Sequence, residues 1–132
     1  MNAFIIELPN QPGSLADIAE AIAERGINIA GVAGATVGDK GSISILTNDE
    51  SATKAVLDDQ GVAYRSIGLV SAALEDRPGT LASATRRLAG AGINIESLFV
   101  TGMDGGKIMI AIGVSDVDGA RQALGELATA RA

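Results

Sequence analysis

The 132-residue sequence contains no cysteine and no histidine. Their absence removes thiol nucleophiles, imidazole bases, disulfides and nearly every zinc or redox-metal site. A carboxylate-only site for Mg²⁺ or Ca²⁺ stays open by composition, but Asp58-Asp59 and the pair Asp116/Asp118 read as helix-end charges. No resident cofactor is expected. Tryptophan is also absent, and Phe4, Tyr64 and Phe99 are the only aromatic rings, so little is available to stack on bases. Sixteen acidic against ten basic residues give a net charge of −6, and Arg86-Arg87 is the only adjacent basic pair. A phosphate backbone needs clustered cations, so no nucleic-acid partner is expected. The longest run without a charge, Gly26–Gly38, is 13 residues, short of the ~20 that a membrane helix needs. Met1-Asn2-Ala3-Phe4-Ile5-Ile6-Glu7 has no basic leader and meets an acid early, unlike a signal peptide. These features predict a soluble, cytoplasmic protein with no membrane partner. With 47% hydrophobic and 20% charged residues, the chain has enough apolar material to build a core, which argues against disorder.

What is present is a repeat. Leu8–Ile29 reads LPNQPGSLADIAEAIAERGINI, and Leu74–Ile95 reads LEDRPGTLASATRRLAGAGINI, 66 residues later. Pro12-Gly13, Leu15, Ala16, Ala23 and Gly26-Ile27-Asn28-Ile29 return as Pro78-Gly79, Leu81, Ala82, Ala89 and Gly92-Ile93-Asn94-Ile95. Two units are too few for a solenoid, so the repeat predicts a pseudo-symmetric pair, residues 1–66 and 67–132.

The hydrophobic period switches in the same order in each half. Ala3–Leu8 reads as a strand, and Leu15, Ile18, Ala19, Ile22 and Ala23 form a helical stripe closed by Gly26. Ile27–Val37 and Ser42–Leu46 read as strands joined by a turn at Gly38-Asp39-Lys40-Gly41. A helix capped by Asp49 or Ser51 follows, turning Ala52, Ala55 and Val56 inward and stopping at Gly61. In the second half, Gly68–Leu74 is a strand, and Leu81, Ala84, Thr85, Leu88 and Ala89 form the stripe closed by Gly92. Ile93–Thr101 and Lys107–Val114 are strands around Met103-Asp104-Gly105-Gly106, and Ala120, Ala123, Leu124 and Leu127 line a last helix. The predicted class is α+β: two ferredoxin-like βαββαβ units, antiparallel sheets with helices on one face. The segment Val62–Leu74 lacks a turn signal except Gly68, so the last strand of one unit is expected to run into the first strand of the next. Few residues follow the final helix, and the second unit is expected to lack its last strand. Gly68–Leu74 would then be an edge without a protecting charge. The unbroken apolar run Ile108–Val114 demands cover on both faces. Together these predict a homodimer; the alternative is that the segment Val62–Leu74 shields the edge, and another sheet of the same chain covers the face, within a single chain.

Each Pro-Gly turn is the expected site. Proline near the first helical position costs no hydrogen bond, and glycine permits close backbone approach. The amides of Gly13, Ser14 and Leu15, and of Gly79, Thr80 and Leu81, would then face outward from a helix N-terminus, which favours a carboxylate. Fifteen residues after each glycine stands an asparagine, Asn28 or Asn94, whose amide oxygen can accept from an ammonium group. An alternative role for these asparagines is to cap the preceding helix. Met103-Asp104-Gly105-Gly106-Lys107 lacks the spacing of a phosphate loop and reads as a hairpin turn.

The frame D-x-P-G-x-L followed by G-I-N-I resembles the ACT domain, a regulatory amino-acid-binding module, across about residues 3–127. Asp76-Arg77-Pro78-Gly79-Thr80-Leu81 fits its motif fully; Asn10-Gln11-Pro12-Gly13-Ser14-Leu15 fits with Asn for Asp. The resemblance implies that units pair side by side and hold an amino acid or similar small zwitterion where they meet. One site would take Asn10 through Leu15 with Asn94 and Ile95; the other would take Asp76 through Leu81 with Asn28 and Ile29. It further implies a non-catalytic regulatory protein with a metabolic enzyme as a possible partner. The alternative is a ligand-free interaction module acting as regulatory subunit of a biosynthetic enzyme. No base–nucleophile pair is visible, so an enzyme is not expected.

Overall fold

The computed structural model describes residues 1–129. Its contacts divide the chain into two compact units: Asn2–Ser66, and Met1 together with the chain from Ile67 onward.

The first unit runs β1 (Asn2–Pro9), α1 (Ser14–Glu24), β2 (Ile29–Val37), β3 (Lys40–Thr47) and α2 (Glu50–Gln60), and ends in the start of β4 (Tyr64–Glu75). β3 lies between β2 and β1, antiparallel to both, with Phe4 opposite Ile45 and Val32 opposite Ile45. On the other edge of β1 the Glu7 N–H donates to the Ala63 carbonyl at 2.9 Å. Alternation along the strands sends Phe4, Ile6, Leu8, Ile43 and Ile45 to one face, where they meet Ile18 and Ile22 of α1 and Val56 and Leu57 of α2. Asp49 caps α2, its carboxylate accepting from Ala52 N–H at 3.0 Å. The inward residues of α2 are Thr53, Val56 and Leu57. Ala55, expected inside, is exposed, because the true stripe starts one residue later.

The second unit repeats this with the rest of β4, α3 (Thr80–Gly90), β5 (Ser97–Asp104), β6 (Lys107–Val114), α4 (Val117–Leu124), a 3₁₀ turn at Gly125–Leu127 and β7 (Ala128–Thr129). β6 lies between β4 and β5. Val70, Ala72, Leu74, Ile110, Ile112 and Val114 face Ala84 and Leu88 of α3 and Ala120 and Leu124 of α4. Asp116 caps α4 through Gly119 N–H at 2.9 Å, as Asp49 caps α2. The register shift between Val100 and Gly102 leaves Thr101 without a ladder partner, so the second copy carries one residue more before its hairpin.

Two expectations need correcting. The second unit does have a final strand: β7 pairs antiparallel with β4, Ala72 opposite Ala128 and Ser71 opposite Thr129. Gly125, at φ 57, ends α4 early and frees the chain to return; two residues are too short to show a period in sequence. Residues 130–132 of the expected tail lie outside the described residues. The strand Gly68–Leu74 is likewise no open edge. It pairs with β6 on one side, while β7 and the Met1 carbonyl, which accepts from Leu69 N–H at 3.0 Å, line the other. Both faces of β6 are already buried in the single chain, Ile112 and Ala111 each at 0% exposure. The two arguments for a homodimer therefore lose their footing, since one chain meets both demands. The joint expected in Val62–Leu74 is seen as β4, a continuous strand containing the boundary between the units.

Candidate functional site

Both Pro-Gly loops take one backbone form. Gly13 and Gly79 each stand at φ 91, in the left-handed region, as the residue before the first helical turn. Proline therefore lies outside the helix, before the cap, and not at the first helical position as the sequence suggests. The turn needs positive φ at its last residue, and only glycine takes that without strain. Among the described residues neither helix start receives a side-chain cap. Ser14 N–H reaches back to Gln11 O at 3.4 Å and Thr80 N–H to Arg77 O at 3.5 Å, both long. Leu15 and Leu81, expected on the buried stripes, are 48% and 47% exposed beside these loops.

In the first unit the loop is tied to the β2–β3 hairpin. Asn10 N–H donates to Asp39 O at 3.0 Å, and its Nδ2 donates to Gly38 O at 2.8 Å. A cavity of about 550 Å³ opens there, lined by Asn10, Gln11, Ser14 and Leu15 with Val32–Thr36 of β2 and Gly41–Ile43 of β3. Among the described residues no charged side chain lines it.

The second loop is braced differently. Thr80 Oγ1 donates to Glu75 O at 2.7 Å and to Arg77 O at 3.1 Å, while Arg77 Nε donates to the Glu75 carboxylate at 2.6 Å. That bond, with the Arg77 charge, holds the Glu75 carboxyl below its usual range. The cavity here is about 670 Å³, lined by Arg77, Pro78, Gly79 and Thr80 and also by Ser83, Arg87, Lys107, Glu126 and Leu127. Arg87 of α3 holds Glu126 at 2.8 Å, and this bond pulls the Glu126 carboxyl down to about 2. Asp76 flanks the loop without lining the cavity; its N–H reaches Gly106 O at 3.4 Å.

The asparagines do not cap the preceding helices. Those ends are closed by backbone: Gly92 N–H donates to Ala89 O at 3.0 Å and Ile93 N–H to Leu88 O at 2.9 Å, and Gly26 and Ile27 repeat the pattern. The Gly-Ile of each Gly-Ile-Asn-Ile is thus a helix stop. Asn28 and Asn94 are both exposed and line neither cavity of their own unit. Ile29 and Ile95 pack against their respective cores. Ser83, Arg87, Lys107 and Glu126 line the second unit's cavity although no sequence motif marks them. The available signal was the spacing Thr80, Ser83, Arg87, a polar stripe at i, i+3 and i+7 beside the apolar one.

Among the described residues no cluster of carboxylates is placed to hold a metal ion, and no helix is long and apolar enough to cross a membrane. No curated protein matches the chain in sequence. Several solved structures share its fold. A protein from Bacteroides thetaiotaomicron is 24% identical, with 96% of this chain and 91% of that one covered at a TM-score of 0.78. The ligand-free regulatory subunit of aspartate kinase from Thermus thermophilus is 19% identical, with 96% and 91% covered at a TM-score of 0.69. The corresponding subunit from Thermus flavus is 21% identical, with 93% and 88% covered at a TM-score of 0.66. The ACT domain profile matches residues 3–61 and again 69–131, so the chain belongs to the ACT domain family, as two tandem copies of a non-catalytic regulatory module.

Proposed function

We propose that the protein is a regulatory partner of a metabolic enzyme and that its Pro-Gly loops bind a small zwitterion, an amino acid or close relative. The observation that carries this reading is the duplicated loop. Twice, a left-handed glycine starts a helix that has no side-chain cap, and each loop borders a cavity of some hundreds of Å³. An uncapped helix N-terminus stabilises a carboxylate. The regulatory part of the reading is supported by the family and by the two Thermus relatives, whose names make them regulatory subunits of aspartate kinase. Asn28 and Asn94, exposed and free of capping duty, remain the candidates for the ammonium group. Thermal-shift and calorimetric titration with the twenty amino acids tests ligand binding. Co-purification with a biosynthetic enzyme, repeated with and without the ligand found, tests regulation.

A second reading, an interaction module that needs no ligand, is favoured by the first loop. Asn10 spends its side chain on the hairpin, and the adjoining cavity offers no charge. Enzyme association unchanged by every amino acid would select it.

A further inference from the structure

The two cavities are not chemically equivalent, although the loops beside them share one backbone form. We propose that the second unit's cavity takes an amino acid carrying a second anionic group, of the aspartate or glutamate type, and that Arg87 selects it. The proposal deepens the ligand-binding reading above and rests on it.

Thr80, Ser83 and Arg87 lie on one face of α3 and all line the cavity. A helix rises ~1.5 Å per residue, so the Cα atoms of Thr80 and Arg87 are roughly 10 Å apart. Long helical side chains lean toward the N-terminus, which shortens that gap toward the span of a small dicarboxylate. One carboxylate at the start of α3 and a second at the Arg87 guanidinium would use both ends of this stripe. Ser83 lies between them, its hydroxyl making no hydrogen bond among the described residues; Lys107 lines the same cavity across the ladder from Glu75, beyond salt-bridge distance but close enough for its charge to act on the Glu75 carboxyl. Arg77 is already matched by Glu75 at 2.6 Å.

Arg87 also has a partner, but an exchangeable one. The Glu126 side chain is 72% exposed, and an ion pair so open to water contributes little net stability. A ligand carboxylate can replace Glu126 while Arg87 keeps its 2.8 Å bond to the Leu124 carbonyl. The first unit shows the opposite chemistry at the corresponding helix positions. There Ser14, Asp17 and Ala21 replace Thr80, Ser83 and Arg87, a carboxylate for a hydroxyl and a methyl for a guanidinium. Of these only Ser14 lines the first cavity, which among the described residues offers a second carboxylate no cationic partner.

The test is calorimetric titration of the full chain, at low ionic strength, with the twenty amino acids and then with Arg87→Gln, Ser83→Asp and Glu126→Gln. L-aspartate or L-glutamate should bind more tightly than L-asparagine or L-glutamine. Arg87→Gln and Ser83→Asp should each weaken that binding by about tenfold or more, and Glu126→Gln should tighten it by removing the competing carboxylate. Ser83 is exposed, so its variant remains informative even if Arg87→Gln fails to fold. Preferred binding of a neutral or basic amino acid, indifferent to Ser83→Asp, overturns this inference and leaves the ligand-binding reading intact. Absence of binding by all twenty overturns that reading itself, and this inference with it.

Discussion

Asn28 and Asn48 hold each other through two bonds at the entrance to β2. Asn28 N–H donates to Asn48 Oδ1 at 3.1 Å, and Asn48 N–H donates to the Asn28 carbonyl at 3.2 Å. β2 therefore starts at Ile29, whereas in the second unit, where Val114 and Ser115 follow the paired residue Gly113, β5 starts only at Ser97. The clamp explains why one copy of Gly-Ile-Asn-Ile enters its strand at once and the other does not. Asn48→Ala should cost about 1 kcal/mol and speed hydrogen exchange at the Asn28 amide while leaving Asn94 unchanged. Equal protection of Asn28 in both proteins would count against the clamp.

The left-handed glycines give a second prediction. A Cβ at Gly79 would meet nothing within 4 Å, but φ is +91. The cost of Gly79→Ala is thus conformational and not steric, about 1–2 kcal/mol, and should be visible in chemical denaturation. Gly90, helical and with equally open space, is the control: Gly90→Ala should be neutral or mildly stabilising. Matching losses at both positions would refute the assignment of strain.

Two buried hydroxyls should respond in opposite directions. Thr53, at 0% exposure, donates to Asp49 O at 2.7 Å and shares a 2.6 Å bond with Thr47. Thr53→Val should cost about 1–2 kcal/mol, because it removes two short hydrogen bonds and leaves the Thr47 hydroxyl only its longer bonds with Asp49 O at 3.3 Å and Asp49 N–H at 3.4 Å. Ser71, 2% exposed, has no partner for its hydroxyl among the described residues. Ser71→Ala should be neutral or stabilising, since it removes a buried polar group that makes no bond. Melting temperatures of the two variants check both signs.

The Arg87–Glu126 pair sets a pH dependence. Glu126 titrates at about 2 in the folded chain against an ordinary value of 4.5. A carboxyl depressed on folding stabilises above its ordinary value, and that contribution fades as pH falls toward the folded value. The wild-type chain should lose stability between about pH 4.5 and 2 more steeply than Glu126→Gln. Parallel curves would mean that the pair adds nothing. Because both groups are exposed, the difference should shrink in high salt.

The oligomeric state is open to one measurement. The sequence predicts a homodimer from an unprotected strand and an uncovered sheet face, and one chain supplies cover for both. If regulation nevertheless works through paired copies, light scattering at micromolar concentration should give twice the 13.3 kDa chain mass. A monomer with and without ligand would leave the regulatory reading to a single chain and its enzyme partner.

Much of this protein was written locally. The repeat, the order of strands and helices, the glycine stops and the Asp49 cap follow from side-chain period and backbone sterics, which act over a few residues. The Pro-Gly loops were legible for the same reason, although the position of proline relative to the helix was not: a left-handed glycine cap and a proline at the first turn leave the same dipeptide. Leu15 and Leu81 fit the apolar period yet stand exposed, because that period continues past the point where the core ends.

Local pattern alone shows that two like units exist, that Gly26, Gly61 and Gly92 stop three of the helices, and that two loops share one form. Only the tertiary structure decided that β7 returns to β4, that Thr101 is the extra residue of the second copy, and that Ser83, Arg87, Lys107 and Glu126 border one cavity. Those residues come from helix, strand and a 3₁₀ turn far apart in the chain. Their meeting depends on strand register and helix packing, which no local pattern specifies.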